Sequence, residues 1–266
     1  MSFSLHRGST PLVVSMPHIA TGIPQELRGG YAPRALAVED ADWHLDRLYN
    51  FLGGMSASVL QPHHARYVID LNRPPDDAPM YPGASNTELC PTRFFNGDAL
   101  YLDGCEPDAQ ARGKRREAYW QPYHQALAQE LARVKAEHGY ALLWDAHSIR
   151  SEIPWLFEGH LPGLNIGTAD GASADPSIAQ AVVAACARAP GVTHVLNGRF
   201  KGGYITRRYG RPVEHVHAVQ LEMCQYLYMQ EVPPFAYDEE AATRIRPVLR
   251  DMVEAAVTTA GRLYGR

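Results

Sequence analysis

Gly139-Tyr140-Ala141-Leu142-Leu143-Trp144-Asp145-Ala146-His147-Ser148 is an apolar run that ends abruptly in Asp-x-His-Ser. Its length and continuous apolarity predict a buried strand, and its polar end predicts that the strand delivers side chains to a site. Open α/β sheets present their chemistry just beyond the carboxyl ends of strands. Neutral imidazole is also the commonest protein ligand for a catalytic metal. Taken alone, the segment equally fits a capped strand end, with Asp145 bonded to backbone and His147 merely exposed.

Outward from this strand, apolar segments alternate with amphipathic ones. Pro11 to Met16 reads as a strand opening into the turn-rich Pro17-His18 and Gly22-Ile23-Pro24, which puts His18 at a second strand end. Val38 to Leu52 reads as a helix with Glu39, Asp40 and Asp42 at its start, where acids suit the helix dipole. On such a helix Asp42 and Asp46 share a face and either could reach an ion held by His18, while His44 points away. Ser58 to Gln61 and Tyr67 to Leu71 are expected strands, the second releasing Asn72-Arg73-Pro74-Pro75. An arginine there offers a fork of donors suited to a carboxylate, although pairing with Asp70 or Asp76 is an equal structural account.

Asp76 to Gly104 is crowded with Pro, Gly, Asn and Asp and reads as a long irregular excursion. Arg112 to His138 is an amphipathic helix that Pro122 kinks or splits. Then come a short strand at Asn165 to Thr168, a helix at Ser177 to Ala189 and a strand at Thr193 to Asn197. A glycine-bearing loop at Phe200 to Tyr204 precedes Arg207, Arg208 and Arg211. Val216 to Met223 is a core strand in which Glu222 is out of place; a carboxylate there must be paired or catalytic. Asp238 to Leu263 closes the chain as a helix. The alternation predicts a three-layer α/β fold, read as one domain over residues 1–266.

Composition narrows the function classes. Hydrophobic residues make up 45% and charged residues 20% of 266, an ordinary globular balance, and the formal charge of -4 argues against a nucleic-acid partner. Cys90, Cys105, Cys186 and Cys224 form no C-x-x-C pair, which speaks against a structural zinc cluster or a disulfide framework. No apolar span reaches the roughly 18 residues of a membrane helix and no secretory leader is evident. A soluble, cytoplasmic protein with no membrane partner is therefore expected. Its oligomeric state is not legible, and a monomer is compatible with everything above.

His18, an acid from the Asp42 segment, His147 and Glu222 together make the inventory of a catalytic zinc site: three ligands and a separate acid or base. The strings Ser15-Met16-Pro17-His18, Gly22-Ile23-Pro24, Asp42-Trp43-His44-Leu45-Asp46-Arg47-Leu48-Tyr49, Asp70-Leu71-Asn72-Arg73-Pro74, Asp145-Ala146-His147-Ser148 and Gln220-Leu221-Glu222-Met223 resemble the N-formylglutamate deformylase (N-formylglutamate amidohydrolase) family over nearly the whole chain. That family in turn resembles the zinc carboxypeptidases and aspartoacylase, which implies a zinc-carboxypeptidase-like fold (phosphorylase/hydrolase) with a mixed central β-sheet flanked by helices.

The resemblance implies His18 and His147 as metal ligands and Glu222 as general base. Thr21 stands where the carboxypeptidase group has its glutamate ligand, so the acid must come from elsewhere; the family pattern favours Asp42, with Asp46 as the alternative. Arg66 is the implied oxyanion partner, and Asn72 and Arg73 hold a substrate carboxylate. A dicarboxylate needs a second cation, from Arg150, Arg207 or Arg208. The implied activity is hydrolysis of the small molecule N-formyl-L-glutamate to formate and L-glutamate in histidine degradation, with one Zn2+ per chain, a site that iron, cobalt or manganese would also suit. A zinc amidase for another N-acyl amino acid or peptide is the competing enzyme. A non-catalytic dicarboxylate-binding protein is the competing class.

Overall fold

The structure, a computed structural model, describes residues 2–80 and 86–265. Within them seven strands form one sheet in the order β1-β3-β2-β4-β7-β5-β6. The strands are β1 Phe3–His6, β2 Leu12–Ser15, β3 Ser58–Pro62, β4 Ala141–Ile149, β5 Leu164–Gly167, β6 His194–Leu196 and β7 Val216–Cys224. β3, β2, β4 and β7 run parallel, β1 pairs antiparallel with β3, β5 antiparallel with β7, and β6 parallel with β5. This is the mixed, helix-flanked α/β sheet that the alternation and the resemblance imply.

Every residue of β4 and β7 is buried, because helices cover both faces. The helices are α1 Gln25–Arg28, α2 Leu45–Leu48, α3 Ala109–Arg115, α4 Gln121–His138, α5 Pro176–Cys186, α6 Tyr204–Tyr209 and α7 Glu239–Leu263. Side-chain alternation along β4 divides the core. Leu142, Trp144 and Ala146 pack with α2, α5 and α7, while Ala141 and Leu143 pack with α4 and Ile205 of α6. Each fully buried aliphatic side chain there contributes roughly 1.5–3 kcal/mol. The other register is excluded, since slipping β4 by one residue would push Asp145 and His147 into the α5–α7 layer.

Several expected elements differ. Val38 to Leu52 is not one helix: His44 has a left-handed backbone (φ 61°), α2 covers only Leu45–Leu48, and Asp46 is exposed. The anticipated shared face of Asp42 and Asp46 is therefore absent. Tyr67 to Leu71 is not a strand but a buried turn-rich segment whose carbonyls are met by side chains; Arg115, for example, donates to the Val68 carbonyl. The Arg112–His138 helix begins earlier, at Ala109, and Pro122 neither ends nor splits it, because a π turn over Arg116–Trp120 joins α3 to α4. The loop from Phe200 runs into α6, and β1 was not foreseen. Of the irregular excursion, residues 81–85 lie outside the described residues, as do residues 1 and 266 at the ends of the span read as one domain. No helix among the described residues is long and apolar enough to cross a membrane.

Candidate metal centre and active site

His18, His147 and Glu222 all lie at or beyond the carboxyl ends of parallel strands. β2 ends at Ser15, three residues before His18, and β4 and β7 place His147 opposite Glu222 in register. Successive connections leave β2 and β4 toward opposite edges of the sheet, and the crevice so formed is where α/β folds bind ligands. Asp42 arrives from the irregular chain after β2. Its N–H donates to the His18 carbonyl (3.0 Å), which ties the two together.

These groups converge. The Asp42 Oδ2 atom is 3.2 Å from His147 Nδ1 and 3.7 Å from His18 Nδ1, and the imidazole centroids are 4.9 Å apart. The donor atoms of His18, Asp42 and His147 all lie within 4.8 Å of one another. Ligands about 2.0–2.1 Å from a tetrahedral ion sit a little over 3 Å apart, so the spacing fits a divalent metal. His18 Nδ1 is buried and has no hydrogen-bond partner, an orphan a metal would satisfy.

The opposite ring nitrogens are held from behind. His18 Nε2 lies 2.7 Å from Asp70 Oδ1, and His147 Nε2 lies 3.2 Å from Asp145 Oδ1. The Asp70 carboxylate behind His18 fixes its Nε2–H tautomer and turns its Nδ1 toward the site. Burial and the Arg66 cation hold the His18 pKa down, as a neutral ligand requires. Burial would lower His147 too, but Asp145 and Asp42 raise it well above the usual range. A metal bound through His147 would have to displace that proton. Burial opposes ionisation of Asp70, yet His18 and Arg66 outweigh it and hold its carboxyl well below the carboxylate range.

Glu222 faces the same cavity, and desolvation, reinforced by Asp42 against the pull of His147, lifts its pKa to about 8. Arg66 is buried, donates to Asp70 (2.7 Å) and lies over the Phe95 ring at 4.6 Å. Asn72 Nδ2 is 3.0 Å from His147 Nε2, and Asn72 Oδ1 accepts from the Ile205 N–H at 2.8 Å. Gly203 makes this contact feasible, because a Cβ there would lie 2.3 Å from Asn72 Nδ2.

The family model for N-formylglutamate amidohydrolase matches residues 10–229. The chain belongs to the N-formylglutamate amidohydrolase family. Its relatives include an N-formylglutamate deformylase of Pseudomonas aeruginosa, 51% identical over 98% of each chain. Another, from Pseudomonas putida, is 47% identical over 99% of this chain and 98% of its own. The N-formylglutamate amidohydrolase of Ralstonia eutropha JMP134 shares the fold, with a TM-score of 0.75 at 24% identity, covering 98% of this chain and 97% of that one.

In this member of the amidohydrolase family, the residues singled out from sequence divide in two. His18, Arg66, Asn72, Arg73, His147 and Glu222 all line one cavity, with Asp42 buried beside the two imidazoles. The three candidates for a second carboxylate anchor are placed elsewhere. Arg150 donates to the buried Asp40 at 2.7 Å, Arg207 Nε to the Gly202 carbonyl, and Arg208 lines a separate groove with Lys135 and Tyr209. None of the three lines the cavity. Arg199, passed over in the sequence, does so with Phe200 and Leu156. The signal was present: Arg199 follows β6 as Arg73 follows an apolar run, a cation released where a segment ends.

Proposed function

We propose that this chain hydrolyses N-formyl-L-glutamate to formate and L-glutamate at the His18–Asp42–His147 centre, as a cytoplasmic enzyme carrying one zinc ion. The observation that carries the reading is the meeting of two carboxylate-backed imidazoles and Asp42 beside a buried glutamate whose pKa is about 8. His18 and His147 through Nδ1, and Asp42 through its carboxylate, would hold the metal. A divalent ion held there supplies a Lewis acid for the formyl oxygen and lowers the pKa of a water to about 7.

The chain's own groups do the rest. Glu222 takes the proton of the attacking water and returns it to the glutamate nitrogen as the C–N bond breaks. Arg66, held by Asp70 and stacked on Phe95, offers its remaining N–H groups to the developing oxyanion. Arg73, steadied by the Thr87 carbonyl (3.0 Å), and Arg199 supply the two cations that a dicarboxylate needs.

The test is formate release from N-formyl-L-glutamate with and without a chelator, beside N-acetyl and N-succinyl analogues. Formate release that the chelator abolishes and zinc restores is expected, with the bulkier acyl groups turned over at least about tenfold more slowly. A preference for an analogue would point to another zinc amidase. Ligand-induced thermal stabilisation with no turnover would point to a dicarboxylate-binding protein.

Arg199→Met is expected to lower kcat/KM for N-formyl-L-glutamate by about 10- to 100-fold, the worth of one charge-assisted contact. N-formyl-L-leucine, with a single carboxylate, should lose far less. Equal losses on both substrates would remove Arg199 from carboxylate recognition.

A further inference from the structure

The α3–α4 helix carries donors for which the hydrolytic reading has no use. Trp120 Nε1 donates to the Arg73 carbonyl (3.0 Å) and His124 Nε2 to the Leu71 carbonyl (2.9 Å). Arg116 Nη1 donates to the Pro75 carbonyl and Arg115 Nη1 to that of Val68, each at 3.1 Å. These four carbonyls bracket the segment that carries Asp70, Asn72 and Arg73. Because that segment is not a strand, no ladder meets its carbonyls, and the helix takes the place of one.

The helix is also wound abnormally at this point. The Gln121 N–H bonds to the Arg116 carbonyl, five residues back, just before Pro122. Proline lacks an N–H and its ring collides with the carbonyl four residues earlier, so the wider π turn relieves it. In an α-helix, residues four apart drift by about 40° around the axis. A turn holding more residues reduces that drift and brings Arg116, Trp120 and His124 nearly into line, facing one loop.

The donors are rigid. The Trp120 and His124 rings stack at 3.8 Å between centroids, and both side chains are buried. With Nε2–H committed to Leu71, His124 Nδ1 is the acceptor for the Tyr209 hydroxyl at 2.9 Å. Burial pushes the His124 pKa down to about 4, which keeps this one neutral tautomer.

Resting on the hydrolytic reading, we propose that the π turn with Trp120 and His124 is a positioning device: it fixes the Leu71 and Arg73 carbonyls so that Asn72 stays against His147 and Arg73 stays aimed at the substrate. Neither side chain lines the cavity, so both act through the loop.

Trp120→Phe and His124→Phe keep the ring stack and delete one donor each. Each is expected to lower kcat/KM for N-formyl-L-glutamate by about tenfold or more, since small displacements of positioning groups are costly. His124→Gln, whose amide can donate to Leu71, should recover most of the loss. In an Arg73→Ala background, Trp120→Phe should cost almost nothing further, because its effect passes through Arg73. Hydrogen exchange over residues 68–75 should quicken about tenfold in both Phe variants while β5 and β6 keep wild-type rates. Additive losses in the double variant, or unchanged exchange over the segment, overturn the proposal. If the wild type releases no formate, the hydrolytic reading fails and the exchange measurement alone decides whether the helix clamps the loop.

Discussion

Glu222→Gln is expected to reduce kcat for formate release by about 100- to 10,000-fold, the usual contribution of a positioned general base, with metal content unchanged. The amide has nearly the same shape as the carboxyl group, so the packing at the end of β7 survives while the proton acceptor is lost. Desolvation places the Glu222 pKa at about 8 without a metal, and the base works only when ionised. Activity should therefore fall as pH drops, and a bound cation, by favouring the carboxylate, should carry that acid limb below 8.

The same shift fixes the sign of a stability effect. The folded-state pKa lies above the ordinary value of 4.5, so the contribution of Glu222 to metal-free stability is full below about 4.5 and lost as pH rises through about 8. Glu222→Gln, which cannot ionise, should escape that loss. Wild-type turnover in the variant would end the assignment of Glu222 as base.

His147→Ala should release the metal and abolish turnover together. Its imidazole is one of three converging donors, and its removal also leaves Asp145 and Asp42 as two buried carboxylates without the group that lies between them. Losing one ligand of three removes far more affinity than the about 10- to 100-fold that loss of a supporting partner costs. Elemental analysis of the purified variant reads the result directly. Full metal retention would contradict the ligand role, even if activity were gone.

The core strands were legible because burial on both faces leaves an uninterrupted apolar run, as in β4 and β7, and polar residues in such a run stand out. Asp145, His147 and Glu222 are visible for that reason. Tyr67 to Leu71 carries the same apolar signature but forms no strand, because Arg115 and His124 supply the hydrogen bonds that neighbouring strands would have given. Local pattern cannot distinguish the two sources of partners.

Asp42 could be named only through family likeness, and the geometric ground for weighing Asp46 against it was wrong. The helix they were expected to share breaks at the left-handed His44. The three candidates for a second carboxylate anchor fall outside the cavity for a related reason. Arg150, Arg207 and Arg208 sit close in sequence to recognisable motifs, whereas Arg199 reaches the cavity through the loop after β6, whose course no periodicity records.

His18, Asp42 and His147 come from three separate parts of the chain, and their imidazoles face one another only after β2 and β4 have paired side by side. An unfolded chain would pay a large loop-closure entropy to gather them, so it offers the ion no comparable site. A metal held there would therefore bind late, after the sheet has assembled, and would draw the folding equilibrium toward the native state as its free concentration rises. If the proposed metal is held there, a cell short of it would keep less intact protein as well as less activity, and metal supply would control abundance as well as catalysis.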